Sequence, residues 1–159
     1  MKDEYIIVEI IPTRSKRELG GTIVQVSCIK MKDLIMTDQL YVRQDLNYVQ
    51  EPDIVHMLSY GDDYFETTRY VNSVEKKFKK FIGKTPLLIM DNSYTLDYLQ
   101  DYENEKISIF DLLGVEDSDT VFDEIRAIYG IEDNQDLVTI LYEALLKKNN
   151  DEIISGRKK

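Results

Sequence analysis

Residues 5–13, YIIVEIIPT, constrain the fold of this chain more than any other stretch. The run is apolar at consecutive positions, too short for an ordinary helix, and stopped by Pro12. It reads as a buried core strand. One carboxylate, Glu9, interrupts it. A charge in a core strand is costly unless it is paired, solvated at a cleft or bound to a metal. The surroundings of Glu9 therefore bear on whether the chain is an enzyme.

Two more strands are expected close behind. Residues 22–31, TIVQVSCIKM, alternate and are rich in β-branched side chains, and 34–43, LIMTDQLYVR, follow after a tight turn at 32–33. Short connections between such runs predict an antiparallel meander. The pattern then changes. Pro52 and Gly61 bracket a short helix over 51–63, and apolar residues at 71, 74, 78, 81 and 82 predict a helix over 67–84. TPLLIMD (85–91) is apolar throughout, the mark of a parallel strand covered on both faces. Helices are expected over 92–103, 118–130 and 134–149, with a strand at 106–114 between the first two. The order predicts an α/β domain with a mixed five-stranded sheet flanked by helices. Residues 1–150 form the single expected domain, and 151–159 an expected frayed tail.

Charge and composition narrow the function. The net charge is −10, from 30 Asp and Glu against 20 Lys and Arg. Nucleic-acid binders draw most of their affinity from Lys and Arg on phosphates, and an acidic field opposes that approach. A protein partner is favoured, and nucleic-acid binding is expected to be weak. The basic residues cluster at RSKR (14–17) and EKKFKKFIGK (75–84), which read first as a solvated loop and a solvated helix face. No stretch approaches the roughly 20 apolar residues of a membrane span, so no membrane partner is expected. The N-terminus does not read as a signal peptide. The single cysteine, Cys28, lies in an apolar run and permits no internal disulfide, which fits a reducing, cytoplasmic setting. His56 has no second histidine for a zinc site. Neither a glycine-rich nucleotide loop nor a nucleophile elbow occurs. Tyr94, Tyr98 and Tyr102 recur on one helical stripe; with Tyr64, Phe65 and Tyr70 they read either as packing or as an interface, Tyr being enriched at binding hot spots. Of these, Tyr64, Phe65, Tyr70, Tyr94 and Tyr98 are the interface candidates, if exposed.

Four stretches resemble one family. YIIVEIIPT stands where that family has an apolar run ending in Asp-x-Glu-Thr, and TIVQVSCIKMKD matches its second strand. DIVHMLSYGDD falls at its helix-and-turn, and LLIMDNSYTLDYL at its Leu-Val-Ala-His-Asn motif. Over residues 4–148 the chain resembles the DEDD-type 3′–5′ exonucleases of the ribonuclease H-like fold, which include polymerase proofreading subunits and ribonuclease T. The resemblance implies two metal ions held by four carboxylates, with a histidine taking the proton of the attacking water.

Against that pattern the catalytic set is degenerate. Glu9 matches the first acid, but Ile11 occupies the second. Thr95 falls at the third acid, and Met90 and Asp91 at the preceding His-Asn pair. In the last motif Asp136 matches the acid with Ile131 at the histidine, or, one residue along, Leu137 with Glu132. The remnant set is thus Glu9, Asp91, Thr95 and Asp136, and a single-metal site of Glu9, Asp91 and Asp136 is the alternative to none. Asp97 is expected to face away from the cleft. Three functions follow. The first is an exonuclease-fold interaction module without catalysis and without a cofactor. The second is a divergent exonuclease using Mg or Mn. The third is an acidic decoy competing with nucleic acid.

Overall fold

The computed structural model describes residues 4–14, 16–44, 66–68, 73–90, 93–132 and 136–154. The run near the start of the chain becomes β1 (Glu4–Pro12), an inner strand of a mixed sheet, with an antiparallel neighbour on one side and a parallel one on the other. β2 (Ile23–Lys32) pairs antiparallel with β1, and β3 (Ile35–Gln44) pairs antiparallel with β2, so the meander forms as expected. On the other side of β1 lie β5 (Leu87–Ile89) and then β6 (Lys106–Ser108), both parallel. The five expected strands are all present. A sixth, the three-residue β4 (Glu66–Thr68), extends the sheet beyond β3, giving the order β4-β3-β2-β1-β5-β6.

Helices cover both faces, which is why β1 is apolar at nearly every position. Ile6, Val8 and Ile10 pack with Val26, Cys28 and Val42 under α1 (Ser73–Ile82) and α2 (Ser93–Leu99). Tyr5, Ile7, Ile29 and Leu88 pack on the other face under α3 (Ile109–Leu113), α4 (Val121–Tyr129) and α5 (Leu137–Ile154). Alternation along the strand places Glu9 and Ile11 on this second face, with Tyr5 and Ile7.

Several element boundaries differ from expectation. Residues 66–68 are strand rather than helix, because they pair with the edge of β3, and the described part of α1 is Ser73–Ile82. The strand expected over 106–114 stops at Ser108. There the Ser108 hydroxyl accepts from the Asp111 N–H and caps α3, and Gly114, in the left-handed region, ends it. α5 continues to Ile154, four residues into the expected tail, since no Gly or Pro interrupts the chain before Gly156. The β2–β3 turn uses Asp33 and Leu34, both at positive φ, one residue later than expected. That turn is held by α5: the Tyr142 hydroxyl donates to the Leu34 carbonyl at 2.8 Å and accepts from the Met36 N–H at 3.0 Å. The helix expected over 51–63, with His56, lies outside the described residues.

Candidate functional site

The sheet face under α5 is apolar at one end and polar at the other. Register sets Glu9, Ser27 and Tyr41 side by side, and in the next row Ile11, Gln25 and Arg43. Opposed residues on neighbouring strands share a face. Both rows lie toward the end of β1 that Pro12 closes. Glu9 is half-buried, Ser27 and Gln25 are buried, and Arg43 is 6% exposed with its Nε donating to Gln25 Oε1 at 2.9 Å.

Asp136 meets this surface from the start of α5. It precedes the first helical residue, Leu137, and acts as the helix cap. Its carboxylate accepts from the Thr139 hydroxyl at 2.6 Å and the Thr139 N–H at 3.4 Å, while its carbonyl accepts from Ile140 N–H at 3.1 Å. The Tyr41 hydroxyl donates to the same carboxylate at 3.0 Å. Glu9 and Asp136, the two acids matched to the first and last motifs, are therefore brought together. Burial and then the nearby Asp136 charge push the Glu9 carboxyl up to about 7, while a hydrogen bond from Ser27 pulls it back. Burial drives the Cys28 thiol and the Tyr41 phenol upward as well, so neither is an activated nucleophile or base.

Among the described residues, Ile11 and Thr95 add no carboxylate to this pair. Ile11 is 3% exposed and offers only hydrocarbon. Thr95 is buried on α2. Asp91 lies outside the described residues, as do Tyr64, Phe65 and Tyr70. Among the described residues no three His, Cys, Asp or Glu side chains converge as a metal site. Among the described matched positions, Ile11 offers an alkyl group, Thr95 a neutral hydroxyl, and the Asp136 carboxylate accepts from three donors.

The tyrosine stripe is packing. Tyr98 is 3% exposed and donates from its hydroxyl to the Arg14 carbonyl at 2.6 Å, so it is removed from the interface candidates. Gly21 is required beneath it, since a Cβ there would stand 1.8 Å from the Tyr98 oxygen. Tyr94 and Tyr102 are half-buried against the same core, and the Tyr102 ring lies 5.7 Å from Phe78. The Asp97 carboxylate accepts from the Arg17 N–H at 2.8 Å.

Ser27, Tyr41, Thr139, Gln25 and Arg43 were not singled out from the sequence. Some signal for them existed. Gln25 and Ser27 are polar residues two apart in an apolar strand, and Thr139 stands three residues after a cap-forming aspartate.

No protein-family model matches the chain, and no curated protein matches it. Solved structures do. The zinc-bound form of Escherichia coli exonuclease I with single-stranded DNA superposes with a TM-score of 0.61 at 11% identity over 99% of this chain and 42% of that one. A complex of exonuclease I with SSB-Ct gives 0.62 at 11% identity, covering 99% of this chain and 42% of that chain. Product-bound exonuclease I gives 0.59 at 11% identity, covering 96% and 44%. The chain thus has the exonuclease fold and spans about two fifths of the length of these structures.

Proposed function

We propose that this chain is an exonuclease-fold interaction module that has lost hydrolysis. The observation that carries this reading is the replacement of a carboxylate pair on β1 by Glu9 and the buried hydrocarbon of Ile11. Two-metal hydrolysis needs hard anionic oxygens that clamp both the attacking and the leaving oxygen. Here Ile11 supplies no such oxygen, and the Asp136 carboxylate already accepts from the Tyr41 and Thr139 hydroxyls. The charge of −10 supports a protein rather than a nucleic acid as the partner.

The approach of Glu9 to Asp136 favours a second reading, a divergent exonuclease using Mg or Mn with Asp91 as third ligand. An acidic decoy that competes with nucleic acid is a third reading, supported by charge alone. One assay tests the first against the second: incubation with single- and double-stranded DNA and RNA in Mg²⁺ or Mn²⁺. No digestion above buffer is expected. Laddered 3′-end shortening that vanishes in Glu9→Gln overturns the proposal in favour of the nuclease.

A further inference from the structure

β3 runs from Ile35 to Gln44, yet β4 covers only its end, Val42–Gln44. Among the described residues no strand pairs with the outer side of Ile35–Leu40. Thr37, Asp38 and Gln39 are exposed there, and Ile35 is 69% exposed. An open strand edge offers its outward N–H and C=O groups as a template for another chain.

Three features of this edge work against such pairing. The register between β2 and β3 shifts: Lys30 faces Asp38 and Met31 faces Met36, so Thr37 is one residue extra and bends the strand. At Met36 the N–H already donates to the Tyr142 hydroxyl at 3.0 Å. Between that tether and β4, the Gln39 N–H donates to Asp38 Oδ1 at 2.8 Å. This N–H is directed away from β2, and the carboxylate stands where the carbonyl oxygen of an added strand belongs. The bland account of the contact is a local side-chain bond to the next amide, of the kind aspartate makes in turns. Asp38 is inside a strand, however, where such an N–H ordinarily belongs to a ladder.

We propose that the outer edge of β3 around Gln39 is a strand-pairing surface, that its fitting occupant is the same edge of a second copy of this chain, and that the Asp38 carboxylate holds it shut. A second copy brings an identical outward N–H and C=O. Antiparallel pairing about a two-fold axis at Gln39 lets the two Gln39 residues exchange both bonds. Asp38 then lies opposite the copy's Leu40, and the two Asp38 side chains become diagonal neighbours on one face, about 7–8 Å apart. That separation is inside a Debye length, and each molecule carries a charge of −10. The carboxylate thus opposes pairing twice: it occupies the central donor, and it repels its twin. The stretch between the Tyr142 tether and β4 is short, so an opened edge gives a weak dimer rather than an obligate one. The inference stands apart from the chemistry around Glu9, which lies on a different strand.

Sedimentation equilibrium of the full chain tests it, at protein concentrations from about 10 μM to about 1 mM, where weak association is read. The native protein is expected to keep the monomer mass throughout. Asp38→Thr removes the acceptor and the charge and suits a strand, and its mass is expected to rise with concentration toward the dimer. Asp117→Thr, which removes an equal charge from an exposed position off this edge, is expected to stay monomeric. Asp38→Thr/Gln39→Pro is expected to return to the monomer, because proline has no N–H to pair and is tolerated on an outward-facing edge. Circular dichroism checks that each variant keeps the fold. Three outcomes overturn the inference: an Asp38→Thr variant that stays monomeric at the highest concentration, association that the added proline leaves unchanged, or equal association by Asp117→Thr. A native protein that dimerises and is made monomeric by Gln39→Pro alone shows the edge open, and overturns the role of Asp38.

Discussion

Glu9 is the residue on which the functional reading turns, and its protonation gives a test. Its carboxyl titrates at about 7 in the folded chain against 4.5 for an unperturbed group. A raised acid is a penalty on the charged form. The penalty is absent below the unfolded value, develops as pH rises from about 4.5 to about 7, and is complete above that. At about 1.4 kcal/mol per unit it reaches the order of 3 kcal/mol. Glu9→Gln is therefore expected to stabilise the protein at pH 8 and to matter little at pH 4.5. Urea denaturation of both proteins across that range measures it, and a difference that does not grow with pH refutes the assignment. Ile11→Glu acts in the opposite direction. It buries a second carboxylate on the same strand face as Glu9, and a loss of more than about 2 kcal/mol at neutral pH is expected. Thermal melts with and without millimolar Mn²⁺ then show whether the added acid creates a metal site in the double variant with Thr95→Asp. No recovery is expected while Asp136 remains tied to Tyr41 and Thr139.

At the scale of elements, α5 joins the site to the sheet at two places. Asp136 caps its first turn, and Tyr142, farther along, holds the β2–β3 turn. Asp136→Asn keeps an acceptor for Thr139 but removes the charge beside Glu9. Stability should change by less than about 1 kcal/mol, because Asn caps nearly as well as Asp. The Glu9 titration should move down toward the ordinary range, which NMR of its side-chain carboxyl carbon reads directly. Unchanged titration shows that burial acts alone. Tyr142→Phe removes both hydrogen bonds to the hairpin, and a loss of about 1–3 kcal/mol is expected in chemical denaturation. The turn residue Leu34 sits at φ 67°, a conformation unfavourable for a branched side chain, so this hairpin depends on the tether more than a glycine turn would.

For the whole molecule, the charge of −10 predicts weak association with nucleic acid. A DNA titration should show binding only at low ionic strength, vanishing near physiological salt. Submicromolar binding that persists at physiological salt supports a nucleic-acid role instead. The lysines of α1 lie on the side of the sheet away from Glu9, beside Asp101 and Glu103.

Much of this architecture was legible in the residues. Consecutive apolar positions in 5–12 and 87–89 can be buried only between two layers, and alternation in 22–43 has a period that a helix cannot use. Those patterns determined the meander, the parallel strands and the helical cover, because each follows from which side chains must leave water. They also placed Glu9 on a core strand with Ile11 on the same face. Boundaries were less so. Ser108 ends a strand only because its hydroxyl meets the Asp111 N–H, and Glu66–Thr68 is extended only because β3 offers it an edge. Tertiary structure alone decided what surrounds Glu9. The sequence separates Glu9, Ser27, Tyr41 and Asp136 by long intervals, and strand register together with the placement of α5 makes them neighbours. Proton affinity depends on distance and burial, neither of which is written along the chain.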